Sequence, residues 1–326
     1  MFDFSKLSLG YENIILSHGK GVVKSRSECD ISCKIGGVRL ATPVLVSNMP
    51  YLQEPNPEFL EIFNKRKWGY IYHRLGGNEN ILNFVRKINN ENWHFKSISI
   101  GIKEEDLRLL EVIKQEKLKL DCLTIDVAFV YTQYALEFVE RVRRLLPYVY
   151  LVAGNFDTPW AALELEKIGV DCGKMAIGVS SNCATVFRTG FGTRIISDLV
   201  KCKEMTSRIK FLTDGGLTIH NDEASIGDAF KSLVFGGNYV LSASLFQRVT
   251  ELADDHGNIL CYGNSTARAK KHDNHDEGYE FQIKTNGKSL EKQMNLIEQS
   301  LKSSCSYAGI DKITNAYKSC DYKIVF

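Results

Sequence analysis

The sequence lacks the features of an exported or membrane-bound protein. Its first ten residues contain no basic segment followed by an apolar one, which a secretory signal requires. No stretch approaches the ~18 consecutive apolar residues of a membrane helix. Basic and acidic side chains nearly balance, at 41 against 39, so charge gives no indication of a nucleic-acid or membrane partner. We expect a globular cytoplasmic protein.

The sequence also lacks any paired arrangement of cysteines. Nine cysteines are scattered along 326 residues, with no CxxC pair and no spacing typical of metal ligands. A chain without an export signal is expected to keep its thiols reduced. We therefore interpret most of the cysteines as small buried hydrophobic residues.

What the chain does contain is a repeated alternation of short apolar runs and helical patterns. The runs are nearly continuous, as expected of parallel strands that are buried on both faces. Eight such units predict one closed (β/α)8 barrel over residues 1–326, with the segment before Pro43 closing its bottom. The predicted strands begin at Pro43, Gly69, Ser97, Cys122, Tyr150, Gly173, Ile209 and Asn238, and the clearest helices begin at Pro57, Glu104, Tyr134 and Pro159.

A polar segment over residues 256–289 follows the eighth predicted strand. It is rich in Gly, Asn, Asp and His and shows little sign of regular structure. Long segments of this kind inside a compact domain are typically functional. We interpret it as a mobile flap, and a disordered surface loop is the alternative.

In a (β/α)8 barrel the active site lies at the carboxyl ends of the strands, and unusual residues collect there in this sequence. Seven of the eight predicted strands carry one or more of them. They are Asn48-Met49, His73-Arg74, Asp126, Gly154-Asn155, residues 178–183, residues 214–216 and Ala243-Ser244.

Cys183 is the candidate nucleophile. It lies in a polar loop between glycines, where a ligand can approach a thiol closely. An inert loop cysteine is the alternative, and the residues alone favour it. Asp126 ends a strand at the barrel mouth, where an unpaired carboxylate is costly. Arg74 is its candidate partner, in either a structural ion pair or a ligand contact.

Two further loops are compatible with a phosphorylated ligand. In Asp214-Gly215-Gly216 the glycines allow backbone N–H groups to approach an anion, and the carboxylate can accept hydrogen bonds from ribose hydroxyls. An ordinary turn capped by Asp is the alternative. Residues 242–244 add small and hydroxyl side chains after the last strand, and the last two loops are the usual phosphate site of this barrel.

The order of these motifs resembles the IMP dehydrogenase/GMP reductase family. The resemblance runs along nearly the whole chain, and the cysteine loop with TGFG downstream, the DGG and the flap EG are together specific. The motifs are KSRSECD from Lys24, SNM from Ser47, YHR from Tyr72, DVA from Asp126, AGN from Ala153, IGVSSNCATVFRTGFG from Ile177, TDGG from Thr213, YGNST from Tyr262, Glu277-Gly278 and SSCSYAG from Ser303.

Within that family the sequence is more similar to the short bacterial reductases. The dehydrogenases have a large regulatory insertion, for which this chain has no room, and a flap Arg-Tyr pair, whereas no arginine precedes Glu277 in residues 272–276. The resemblance implies NADPH-dependent reduction of GMP to IMP and ammonia. Two alternatives stay open: another purine nucleotide or IMP as the substrate, and nucleotide binding without turnover.

The resemblance also implies roles for individual residues. Cys183 would add to C2 of the purine, with Thr185 and Glu277 relaying the proton to the departing ammonia. Carbonyl groups of Gly178, Ser180 and Cys183 would hold a potassium ion. The substrate contacts would be Ser181, Asp214, Gly216, Ala243, Ser244, Tyr262, Gly263, Asn264 and Ser265. NADPH would meet Ser25, Arg26, Arg74, Asp126 and Ala128, with Ser306 and Tyr307 supplied by a neighbouring subunit of a homotetramer.

The sequence departs from the family pattern at several of these contacts. Gly178-Val179-Ser180 replaces GPG, Ala243 replaces a glycine, and Phe129-Val130 replaces a polar residue and a glycine. About six extra residues follow the DGG, at residues 219–225. Because these changes lie at ligand contacts, they leave the substrate, the cofactor preference and the potassium site open.

Overall fold

The computed structural model describes residues 8–180, 183–264, 266, 268 and 278–326. Its strands are β1 (Ile14–Leu16), β2 (Cys33–Ile35), β3 (Val38–Leu40), β4 (Val44–Val46), β5 (Gly69–Tyr70), β6 (Ser97–Ile100), β7 (Cys122–Asp126), β8 (Tyr150–Phe156), β9 (Cys172–Met175), β10 (Lys210–Asp214), β11 (Ile219–His220), β12 (Glu223–Ala224), β13 (Tyr239–Ser242), β14 (Asn258–Tyr262), β15 (Glu280–Lys284) and β16 (Tyr322–Ile324). The eight strands predicted from the sequence correspond to β4–β10 and β13.

These eight strands form one parallel sheet that closes into a barrel. Their spatial order is β5-β4-β13-β10-β9-β8-β7-β6, and a parallel bridge between Tyr72 and Ile98 joins the two edges. The strand residues are almost all buried, because helices cover the outside and side chains fill the inside. The prediction of a (β/α)8 barrel is confirmed.

The helices lie between the strands. They are α1 (Pro50–Gln53), α2 (Phe59–Lys65), α3 (Asn78–Asn90), α4 (Glu104–Gln115), α5 (Gln133–Leu145), α6 (Pro159–Ile168), α7 (Thr185–Thr189), α8 (Ile195–Met205), α9 (Ile226–Val234) and α10 (Leu290–Ala308). In α6, Thr158 caps the first turn, Pro159 occupies the first helical position, and Gly169 ends the helix with φ +90°, as the sequence predicts.

The bottom of the barrel is closed by the chain that precedes β4. Strands β2 and β3 form an antiparallel hairpin. Tyr239, at the start of β13, donates a hydrogen bond from its hydroxyl to the Lys34 carbonyl at 2.6 Å. This agrees with the position predicted for the segment before Pro43.

The segment predicted as a flap has more regular structure than expected at its two ends. Strands β14 and β15 pair antiparallel over five residues each, and Ile259 and Cys261 are buried while Leu260 between them is exposed. This alternation places one face of the ribbon on the barrel. Residues 269–277 lie outside the described part of the chain, so the mobile flap itself stays a prediction.

The extra residues after the DGG form a small hairpin of their own. Strands β11 and β12 are joined by Asn221 and Asp222, whose φ angles are +48° and +64°, a conformation that Asn and Asp tolerate in tight hairpin turns. Asp222 pairs with Arg248 at 3.3 Å, and Glu223 pairs with Lys288. The insertion is thereby tied to the base of the β14–β15 ribbon.

Most of the cysteines are buried, as the sequence predicts. All nine thiols are free, and all except Cys183 and Cys320 are buried. Across the described residues, no helix combines the length and the apolar character that crossing a membrane would require.

Candidate active site at the barrel mouth

Cys183 lies in the loop between β9 and α7, next to a hydroxyl group. Its Sγ is 3.1 Å from Oγ1 of Thr185, and its backbone N–H donates to the Ser180 carbonyl at 3.0 Å. Unlike most of the other thiols, Cys183 is only partly buried. The structure therefore places one accessible sulfur within hydrogen-bond distance of the residue predicted to relay a proton.

Two glycines and a valine hold the cysteine loop in shape. A Cβ on Gly178 or on Gly192 would lie 2.3 Å from Cγ2 of Val186, so only glycine allows Val186 to pack between them. Ile177 and Thr193 join the two ends of the loop through N–H donors in both directions, at 2.7 and 2.9 Å. The glycines noted in the sequence are thus required by close packing.

The β14–β15 ribbon reaches the same loop. Gly278 forms an antiparallel bridge with Cys183, which brings the residue after Glu277 against the backbone of the candidate nucleophile. Glu277, like Ser181 and Ser265, lies outside the described residues. The role predicted for its carboxylate stays a prediction.

A buried lysine on the strand that leads into this loop links it to neighbouring strands. Lys174 on β9 is only 2% exposed, and its Nζ lies 2.9 Å from Oδ1 of Asp126 on β7 and 2.7 Å from Oδ2 of Asp214 on β10. It also donates to Oδ1 of Asn155 on β8, whose amide nitrogen donates to Asp214 at 3.0 Å. Four consecutive strands are thus connected by one ammonium group.

Charge is balanced within this group. Arg74 donates from Nε to Oδ2 of Asp126 at 3.3 Å, so two carboxylates face two cations. Burial raises the pKa of Asp126, but the charges of Lys174 and Arg74 outweigh it, and the pKa stays below its usual value. Burial lowers the pKa of Lys174, and Asp126 and Asp214 more than reverse this. Asp126 and Lys174 are therefore both charged near neutral pH.

The loops after β10 and β13 carry the glycines and hydroxyls of the candidate anion site. Gly215 and Gly216 have φ angles of +73° and +72°, and a Cβ on Gly216 would lie 2.7 Å from Cδ1 of Ile195. Beyond β13, the hydroxyls of Ser242 and Ser244 lie 3.2 Å apart. The predicted residues Gly216 and Ser244 therefore lie in the loops that follow two adjacent strands.

Ala243 and Tyr262 are two further residues predicted to contact the substrate. The Ala243 carbonyl accepts hydrogen bonds from the N–H groups of Phe246 and Gln247, each at 2.9 Å, and Ala243 itself is half-buried. The Tyr262 ring packs 5.7 Å from that of Tyr51.

Asn264 carries an available acceptor in the same region. Its side-chain nitrogen donates to the Asn48 carbonyl at 3.3 Å, and the Gly263 carbonyl accepts from Thr266. Within the described residues, the buried Oδ1 of Asn264 has no hydrogen-bond partner. A buried acceptor without a partner is costly unless a ligand satisfies it.

The predicted cofactor residues fall into two groups rather than one. Arg74, Asp126 and the exposed Ala128 lie at the mouth. Ser25 and Arg26 lie instead beside α10, where Arg26 donates to Oγ of Ser303 at 3.0 Å. Ser306 and Tyr307 lie on the same helix. Ser25 and Arg26 therefore accompany the residues that were predicted to come from a neighbouring subunit.

The predicted potassium loop is only partly described. The Ser180 carbonyl already accepts from Cys183, and Gly178 has φ +71°, but residues 181 and 182 between them are outside the described part. Within that part, no cluster of three or more His, Cys, Asp or Glu side chains could hold a metal ion. The potassium site stays a prediction.

Sequence reasoning missed Lys174 and gave no role to Asn155. The available indication was a lysine inside an otherwise apolar strand segment, Gly173–Gly178, where an unpaired charge would be excluded. Its partners come from other strands, so only the closed barrel identifies them.

The arrangement defines a class: a (β/α)8 barrel with a thiol and a hydroxyl partner in one loop and a buried lysine between two carboxylates. A family model described as the IMP dehydrogenase / GMP reductase domain matches residues 8–325. Curated relatives include the GMP reductases of Helicobacter pylori strain G27, 33% identical over 323 residues, of Staphylococcus epidermidis, 32% over 323, and of Bacillus subtilis strain 168, 32% over 324. Each alignment covers 97% of this chain and 95% of the relative.

The chain therefore belongs to the IMP dehydrogenase/GMP reductase family. The predictions of this family and of an oxidoreductase related to the bacterial reductases are confirmed.

Proposed function

We propose that the chain is an NADPH-dependent GMP reductase, which converts GMP to IMP and ammonia. The observation that carries the proposal is the Cys183 thiol, 3.1 Å from the Thr185 hydroxyl and bridged to flap residue Gly278. The names of the bacterial relatives support the same reaction. A thiolate suits it because it is both a strong nucleophile and a good leaving group.

In the proposed reaction, Cys183 adds to C2 of the purine and a C–S bond forms. The C2–N bond then breaks, and ammonia departs with a proton that Thr185 passes from Glu277. NADPH, when bound, supplies the hydride that reduces C2. The C–S bond breaks, the thiolate of Cys183 is regenerated and IMP is released, so one hydride and one amine are exchanged.

The remaining substrate contacts are assigned to the loops that follow β10, β13 and β14. Asp214 would accept hydrogen bonds from the ribose, Gly216 and Ser244 would face the phosphate with Tyr262, and Asn264 would offer its unpartnered Oδ1 to the base. Lys174 and Asn155 already use part of Asp214 and fix its orientation. We assign Lys174 as a positioning residue, since it contacts the carboxylate and not the ligand.

The described residues also fit a phosphorylated dinucleotide. Arg74 offers a partly exposed cation beside Asp126, and Arg26 offers a second one beside α10. Arg26 bonds to Ser303 on α10, and Tyr307, about one turn further along that helix, is 66% exposed. We therefore propose that this group serves the mouth of a neighbouring subunit in a homotetramer. The reduced thiols agree with a cytoplasmic location.

Incubation with GMP and NADPH, followed by detection of IMP and ammonia, tests the proposal. A parallel incubation with IMP and NAD+ tests the reverse specificity, and a series of other purine nucleotides tests the substrate. The absence of IMP in the first reaction, with direct binding of GMP retained, would favour a protein that binds without turnover.

Cys183→Ala is the matched variant. Turnover should be lost while the affinity for GMP changes by less than about tenfold, because binding and covalent chemistry use different groups. Cys320→Ala, at the other partly buried thiol, is the control. An unchanged rate in Cys183→Ala would remove this residue from the mechanism.

A further inference from the structure

A cavity lies at the end of the barrel opposite the mouth. It has a volume of about 420 Å³, within the ~300–1,000 Å³ range of small-molecule sites. The start of β10, the turn before β13, the β2–β3 hairpin and the segment around Ile313 surround it. None of the residues assigned to the proposed reaction lines it.

The cavity is strongly basic. Its charged lining residues are Lys34, Arg39, Lys203, Lys210 and a single carboxylate, Asp30. Asp30 is already engaged, since it pairs with Arg39 at 2.9 Å and accepts from the Ser32 N–H. Three ammonium groups therefore surround the cavity with no ion-pair partner among the described residues.

Two tyrosines hold the lysines at the wall of the cavity. Nζ of Lys210 is 3.3 Å from the Tyr239 hydroxyl, and Nζ of Lys203 is 5.9 Å from the centre of the Tyr317 ring. Gly236 keeps this wall open, because a Cβ there would approach Cγ of Lys203 to 3.1 Å. Aromatic contacts of this kind orient a cation without neutralising it.

We propose that this cavity binds a small molecule carrying two or more phosphoryl groups. The positive charges around the cavity repel each other. An anion with a comparable negative charge removes that repulsion, and the positive field focused in the cavity attracts it. Ammonium groups are strong donors to phosphoryl oxygens. The hydroxyls of Ser32 and Thr314 at the rim add neutral donors.

Calorimetric titration with inorganic triphosphate, at low salt and with saturating GMP present, tests the proposal. The expected result is binding that weakens as salt is added. Titration with ATP asks whether a base adds to the affinity of the phosphate chain. No detectable binding of either probe would overturn the proposal.

Lysine variants test whether triphosphate binds in this cavity. This test does not depend on whether GMP binds at the mouth. Lys203→Gln with Lys210→Gln should weaken triphosphate binding by about tenfold, the effect of losing two solvent-screened ion pairs. Lys34→Gln is a second variant, on the hairpin. The control removes the same charge from outer helices, with Lys65→Gln and Lys292→Gln. Equal loss in control and test variants would show a general charge effect and refute a defined site.

Discussion

Replacement of Lys174 by methionine is the sharpest test of the described site. Methionine keeps most of the volume of the side chain and removes the charge. Asp126 and Asp214 then lose a partner at 2.9 and 2.7 Å, in a place where the lysine is only 2% exposed. Removing one partner of a buried ion pair costs about 3–5 kcal/mol, because an uncompensated charge stays behind.

The cost should be visible in urea unfolding at neutral pH. If the denaturant slope is about 3 kcal/mol/M, the upper end for small proteins, the midpoint should fall by about 1–1.7 M. At a stability of roughly 10 kcal/mol, the middle of the usual range, the variant stays folded after such a loss. Lys65→Met, at an exposed position on α2, is the control and should change stability by less than about 0.5 kcal/mol.

A second substitution separates charge from packing. In Lys174→Met, Asp126 still pairs with Arg74, whereas Asp214 keeps no cation partner among the described residues. Asp214→Asn in that background removes the carboxylate without a cation partner, so the double variant should be more stable than Lys174→Met alone. A double variant that is no more stable would show that the lysine acts by filling space. In the Lys174→Met variant, the KM for GMP should rise, because Asp214 loses the ammonium group that orients its carboxylate.

Three further predictions concern the flap, the buried histidine and the DGG turn. Glu277→Gln should slow ammonia release more than hydride transfer in single-turnover experiments, and equal slowing would exclude the proposed relay. Burial lowers the pKa of His73 to about 4, and the half-exposed Glu54 carboxylate at 3.5 Å is too screened to reverse this. Native stability should therefore fall by up to about 3 kcal/mol as the pH drops from about 6.5 to 4. His73→Phe should lack this loss, as urea titrations at several pH values would reveal, and an unchanged slope would contradict the assignment. Gly216→Ala should destabilise the fold more than Gly37→Ala, because both have positive φ but only Gly216 has neighbours within contact distance. Equal urea midpoints for the two would refute the packing argument.

The barrel could be predicted because buried parallel strands have a recognisable local pattern in the sequence. Each of the eight strands is a short apolar run, and its position needs no knowledge of its neighbours. Helix α6 could be predicted in the same way, from Pro159 at its start and Gly169 at its end. Helix α3 has no comparable start signal, because the residue before it is Gly77, which provides no side-chain cap.

The interior of the site could not be predicted in the same way, because its contacts are not local. Lys174 meets Asp126 across 48 positions of the sequence and Asp214 across 40, and nothing near Lys174 in the sequence identifies either partner. The ribbon formed by β14 and β15 was missed for a related reason. The segment is polar and rich in glycine, and its alternation of buried and exposed residues is short. The structure shows that alternation, because Ile259 and Cys261 are buried.

The balanced charges at the mouth connect the fold to the proposed chemistry. GMP and NADPH are both anions, and two carboxylates at the mouth would repel them at short range. Lys174 and Arg74 cancel that charge while Asp126 and Asp214 keep their ability to accept hydrogen bonds. A buried lysine can do this without occupying space in the mouth, because its ammonium approaches the carboxylates from inside the barrel. The same argument explains why an exposed lysine elsewhere on the rim would not substitute for it: solvent would screen its charge.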